Sequence, residues 1–265
     1  MEITWMGNEH TNSSSREGYV PFVIVNHISA GTMSSMDAWF RSPDNRVSSA
    51  HFGISKAGEI HQYVDIKRMA WAQGIPKEQI PNAEAEVVRK MGVNPNLYCV
   101  SIEHEGMVGE LTPEQFNASV KLHRYIQDQI YEIWQKEFSL TPYYVIGHYQ
   151  INPTGKPYCP GRRFPWERLY AALEKVDRLK EAEQMEELQR QVEELRRHMN
   201  ELAAENQRLG ERIQSLETLH NQPEIPTWAA DAVQAAVEGQ LVLNPENGSL
   251  DFYRILTVLH RKGLI

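Results

Sequence analysis

The chain has 265 residues, 41% of them hydrophobic and 9% aromatic, enough for one good core with accessories. No apolar run approaches the ~20 residues of a membrane span, and a net charge of -8 argues against a general phosphate-backbone binder, so neither a membrane nor a nucleic acid is expected as partner. Two cysteines cannot build a disulfide framework, and Met1-Glu2-Ile3-Thr4-Trp5 has no basic start leading into an apolar stretch, so the chain is expected to be made in the cytoplasm without a secretory signal.

Residues 1–21 are polar, with the cluster Asn12-Ser13-Ser14-Ser15, and read as an irregular lead-in. Residues 22–27 are apolar and β-branched, too short for a helix, and predict a buried strand ending at His27. A loop follows at 29–32, then a short helix over 34–41 capped by Ser34 or Ser35. Residues 48–55 and 60–64 flank the turn Lys56-Ala57-Gly58-Glu59 and predict a hairpin. Residues 69–74 read as a short apolar loop, 75–95 as a polar, Pro-punctuated stretch, and 98–104 as another buried strand, with Cys99 an inert buried thiol. Thr112-Pro113-Glu114-Gln115 predicts a helix start, with Thr112 as cap and Gln115 completing a capping box; the helix is expected to reach about Phe138. Residues 143–147 predict a strand running into His148, and Pro165 opens a further helix from Trp166. Strands alternating with helices predict an α/β domain over residues 1–175, a mixed central sheet flanked by helices.

From Met185 the pattern changes. Met185, Val192, Met199, Asn206 and Ile213 alternate with Leu188, Leu195, Leu202, Leu209 and Leu216 at spacings of three and four, a heptad register with Leu at every d position. Leu at d with one Asn at a predicts a parallel two-stranded coiled coil over residues 176–220, and hence a homodimer. The break at His220-Asn221-Gln222-Pro223 opens a third unit, residues 221–265, small and α-helical. Trp228, Ala232, Val233 and Ala236 lie on one helical face that Gly239 ends, and Ser249 caps a second helix carrying Phe252, Ile255, Leu256 and Leu259.

The chemistry gathers at Gly147-His148-Tyr149 and Lys156-Pro157-Tyr158-Cys159-Pro160-Gly161. An imidazole and a thiol on one Pro/Gly-rich loop suit a divalent zinc ion, and His27 at its strand end is the best third ligand. Three protein ligands leave one position open, the arrangement of a hydrolytic site, which also needs a general base and benefits from a donor to the developing oxyanion.

Asn26-His27, Ala50-His51-Phe52, Ser101-Ile102-Glu103, Gly147-His148 and Cys159-Pro160-Gly161 with Phe164-Pro165-Trp166 resemble the motifs of the type 2 N-acetylmuramoyl-L-alanine amidases, over roughly residues 20–175. That family includes many phage endolysins and bacterial autolysins and is similar in fold to peptidoglycan recognition proteins. The resemblance implies Zn2+ held by His27, His148 and Cys159, Glu103 activating water, and Lys156 stabilising the oxyanion. It also implies hydrolysis of the amide between N-acetylmuramic acid and L-alanine in peptidoglycan, by an endolysin or autolysin that acts on the cell wall after release. Three departures stand out: an extra residue between Lys156 and Cys159, which leaves Arg162 and Arg163 as alternative donors; Ala50 where some members carry a Tyr; and Ala72 where many carry a His, with His61 or Gln73 as compensating candidates. The rival readings are a non-catalytic peptidoglycan binder of the same fold, which typically lacks the Cys ligand, and a structural wall anchor. Trp228-Ala229 with Ala232-Val233, Ala236-Val237 and Gly239 resembles the opening of an S-layer homology repeat, which implies wall contact for residues 221–265; the alternative is a small dimerisation cap.

Overall fold

The computed structural model describes residues 1–175 and 182–265, and the chain divides into two compact units, Met1–Ala182 and Glu183–Ile265. The expected linker start at residue 176 lies outside the described residues.

In order, the first unit holds β1 (Thr4–Trp5), β2 (Ser13–Ser15), β3 (Val23–Ile28), α1 (Met33–Phe40), β4 (Phe52–Ile54), β5 (Ile60–Gln62) and β6 (Arg68–Ala70). Then come α2 (Glu86–Met91), β7 (Cys99–His104), α3 (Pro113–Trp134), β8 (Val145–Gly147), α4 (His148–Ile151) and the start of α5 (Trp166–His220). Six strands form a mixed sheet in the order β1-β5-β4-β7-β3-β8, in which β4, β7, β3 and β8 run parallel and β5 antiparallel to β4. The α/β reading with a mixed sheet and flanking helices is the observed architecture.

β3 is the run Val23-Ile24-Val25 because both of its neighbours are parallel strands and both faces are covered. Side chains alternate across it. Ile24, with Val100 and Ile102 of β7, packs under Leu122, Ile126 and Ile130 of α3 and Leu169 and Leu173 of α5. Val23 and Val25, with Cys99, pack on the other face against Val87 and Val88 of α2. His27 and Glu103 share that second face by parity and are Cα partners in the β3–β7 register.

Several local expectations are corrected. The lead-in contains two short strands, β1 pairing with β5 and β2 with β6, so residues 68–70 are also strand and not loop. Such edge strands carry no alternating apolar pattern: Ser13-Ser14-Ser15 pairs through its backbone. The α1 cap is Thr32, whose hydroxyl accepts from Ser35 N at 3.2 Å, rather than Ser34 or Ser35. Thr112 does cap α3, but Gln115 does not reach back to it; its amide donates instead to Ile54 O and Glu105 O, both at 3.0 Å. α3 ends at Trp134, where Gln135 turns left-handed at φ 54°.

In the second unit the heptad residues lie exposed on α5, from Met185 at 56% through Leu202 at 61% to Leu216 at 47%. α6 (Ala230–Glu238) and α7 (Leu250–Arg261) enclose a small core of Ala229, Ala232, Val233, Ala236, Tyr253 and Leu256. Gly239 ends α6 and Ser249 caps α7 by accepting from Phe252 N at 3.1 Å.

Candidate metal centre

β3 carries His27 to the sheet's C-terminal edge, and β8 delivers His148 to the same edge as the first residue of α4. The loop after α4 folds back on it. Asn152, itself buried, accepts from Gly155 N at 2.8 Å and donates to Gly74 O at 2.7 Å. Lys156 N donates to Asn152 O, and Tyr149 N donates to Cys159 O, both at 2.9 Å. The returned strand of loop rests on residues 108–109, where Gly161 adopts φ +115° and a Cβ would lie 2.3 Å from Val108 C. Cys159 therefore arrives beside His27, its sulfur 3.8 Å from Nδ1, and accepts from Ile28 N at 3.4 Å.

His27, His148 and Cys159 each present a ligand atom, all within 4.8 Å of one another. The two imidazole rings lie 4.5 Å apart between centroids. Glu103 Oε1 is 3.8 Å from His27 Nδ1. Burial holds His27 well below its usual pKa, and the neighbouring His148, His104 and Lys156 push the same way. Burial, then Lys156, lowers His148 to about 4. Both rings are thus neutral, the protonation state a metal requires. Burial and the adjacent Glu103 push the Cys159 thiol up to about 12. Burial raises Glu103 to about 7, against the pull of Lys156.

The residues fit a soft divalent cation. His27 Nε2, His148 Nε2 and Glu103 Oε2 are buried polar atoms with no protein partner. A cluster of two imidazoles and one thiol is the donor set zinc prefers.

A cleft of about 710 Å³ opens onto the cluster and is lined by Lys156 as well as Glu103. Lys156 reaches it despite the extra residue before Cys159, because the turn closed by Cys159 N and Lys156 O absorbs that residue. The alternative donors are engaged elsewhere: the Arg162 guanidinium lies 4.2 Å from the Tyr158 ring centre, and Arg163 pairs with Glu110 at 3.1 Å. Ala50 is fully buried. His61 is paired with Asp37 at 2.8 Å on β5, whereas Gln73 is buried with its amide atoms unpartnered. His51 sits in a buried network, 2.9 Å from Arg16 and 3.0 Å from Ser101, and not at the cluster. Both cysteines are free, and Cys99 is buried in the core.

Two buried side chains support the cluster, and of these only Asn152 escaped the sequence reading. His104, on the opposite face of β7, donates from Nδ1 to His27 O and accepts from Ser119 Oγ, both at 3.0 Å, fixing the strand end that bears the ligand. Asn152 is the second; the turn Asn152-Pro153-Thr154-Gly155 was its only signal.

No curated protein matches this chain. Among solved structures it is similar to a selenomethionyl derivative of AmpD (22% identity, TM-score 0.48, 64% of this chain and 94% of that one). It is also similar to the N-acetylmuramoyl-L-alanine amidase LysC from Clostridium intestinale URNW (20%, TM-score 0.43, 66% and 98%). A third is the amidase AmiD from E. coli, solved with anhydro-N-acetylmuramic acid-L-Ala-D-gamma-Glu-L-Lys (21%, TM-score 0.43, 60% and 65%). The family profile described as N-acetylmuramoyl-L-alanine amidase matches residues 16–162, which span β3, β7, β8 and the whole His27–His148–Cys159 cluster, and the chain belongs to that family.

Proposed function

We propose that the chain hydrolyses the amide between the lactyl group of N-acetylmuramic acid and the L-alanine of the peptidoglycan stem, with zinc held by His27, His148 and Cys159. The observation that carries this reading is the buried cluster of two neutral imidazoles and a thiol with a carboxyl group beside it. When bound, zinc supplies Lewis acidity and acidified water at neutral pH. Glu103, beside the cluster, is placed to take the proton of the attacking water and return it to the departing L-alanine amine. The Lys156 ammonium offsets the negative charge that develops on the amide oxygen. Retention of Cys159 favours an enzyme over a non-catalytic binder of the same fold.

Residues 1–175 are the catalytic domain in this reading, 176–220 a coiled-coil linker, and 221–265 a wall-contacting unit. The exposed Leu/Met stripe of α5 supports pairing with a second copy, since an apolar seam of that length left in water is unfavourable. We read the chain as a phage endolysin that reaches the wall after release, with a host autolysin as the alternative that the same motifs fit.

Incubation of the purified chain with peptidoglycan is expected to expose new L-alanine amino termini. Chelation abolishes the release and zinc restores it. Reducing sugars in place of amino termini would overturn the reading.

A further inference from the structure

The cleft has two chemically different ends. Its charged groups, Glu103 and Lys156, stand at the metal cluster; the arm between α1 and residues 47–49 carries none. That arm offers the Trp39 indole, 45% exposed, next to Val47, 72% exposed. Trp39 stands in the last turn of α1 and Val47 on the loop that follows, where exposed apolar groups are ordinarily loosely held, but this pair is built in.

Trp39 Nε1 donates to Ser48 Oγ at 2.9 Å, so the indole has its only polar atom already satisfied. The segment that holds Ser48 is clamped by Asn45, which is buried: its amide donates to Trp39 O at 3.0 Å and Ser48 O at 2.9 Å, and accepts from Val47 N and Ser48 N at 3.2 Å. Asn12 clamps it again from outside, donating to Asn45 O at 2.9 Å and Ser48 O at 3.0 Å. A fixed, uncharged aromatic face suits a pyranose, which presents C–H groups on its own face. It suits the peptide stem poorly, because stem residues beyond L-alanine carry carboxylates that would find no counter-charge there.

We propose that Trp39 is the stacking platform of a saccharide subsite that takes the glycan side of the substrate, a proposal that rests on the amidase reading. The stem then leaves the metal cluster in another direction, and the enzyme recognises the saccharide as well as the scissile amide.

The test measures binding to the full chain of two separate probes: an N-acetylglucosaminyl-N-acetylmuramic acid disaccharide without peptide, and the tripeptide L-Ala-D-γ-Glu-L-Lys without sugar. Trp39→Ala is expected to weaken the disaccharide by about tenfold or more and leave the tripeptide within about twofold. Trp39→Phe, which keeps a ring but not the tie to Ser48, is expected to fall between, and guards against a folding defect in the alanine variant. Equal loss for both probes, loss for the tripeptide alone, or a wild-type chain that does not bind millimolar disaccharide overturns the subsite. Release of L-alanine amino termini from sacculi by the same wild-type sample judges the amidase reading separately.

Discussion

Glu103 faces His27 because parallel register makes the two Cα partners and parity puts both side chains on one face. Residues Asn26 and His104 point the other way, where Asn26 donates to His123 Nε2 at 3.1 Å and His104 meets Ser119. One strand pair thus sets His27 and Glu103 on one face and buried polar support on the other. Glu103→Gln is expected to lower amide hydrolysis by about 10²–10⁴-fold without loss of zinc; a variant with full activity would remove Glu103 as the base. The same carboxyl predicts a pH effect in the metal-free chain. Its folded pKa of about 7 lies above its unfolded value of 4.5, so between those values the native state keeps a proton that the unfolded state has lost. Stability therefore falls as pH rises through that window and stays lower above it. Glu103→Gln should remove the slope and stabilise the metal-free protein at pH 8 by on the order of 3 kcal/mol in urea unfolding. Cys159→Ala should weaken zinc by at least about 100-fold in competition with a chromogenic chelator.

At the scale of elements, the site depends on how loops are tied to the sheet. Arg16 is the main tie on the lead-in side. Buried, it donates to Ile66 O at 2.8 Å, Leu97 O at 2.8 Å, Asn96 O at 3.1 Å and Cys99 O at 3.1 Å, and so joins the lead-in to the entry of β7. Arg16→Leu leaves those carbonyls without a donor and is expected to cost about 3–5 kcal/mol by denaturant titration, with zinc affinity nearly retained once folded. Gly161→Ala acts oppositely. A Cβ there collides with the Val108 backbone and forces the loop that carries Cys159 to move, so zinc affinity should drop more than global stability.

For the whole molecule, the exposed seam of α5 is the surface on which the proposed dimer rests. Leu195→Lys with Leu202→Lys is expected to convert a dimer into a monomer in sedimentation of the full chain, while hydrolysis of a small soluble muramoyl peptide stays unchanged. Cleavage of intact sacculi should weaken, because the proposed dimer presents two copies of the proposed wall-contacting unit, whose linkage adds avidity. A wild-type chain that sediments as a monomer at high concentration would end the dimer proposal.

The sequence alone was enough to identify the buried strands, the long helix α3, the heptad register and the His27, His148 and Cys159 positions, since each leaves a local mark: an apolar run, a cap with Pro after it, a repeat, or a ligand type at a loop. Glu103 left no such mark of its own, and only the resemblance to the amidase motifs pointed to it. Tertiary structure alone decided the rest. Backbone pairing gave strands to Ser13-Ser14-Ser15 and Arg68-Met69-Ala70, where no side-chain period exists to announce them. Three-dimensional closure of the Asn152–Gly161 loop brought Lys156 into the cleft despite its shifted spacing, and it turned Arg162 and Arg163 to other partners. Spacing along a chain constrains distance only within a strand or helix; across a folded loop, hydrogen bonds to Asn152 and steric contact at Gly161 set it.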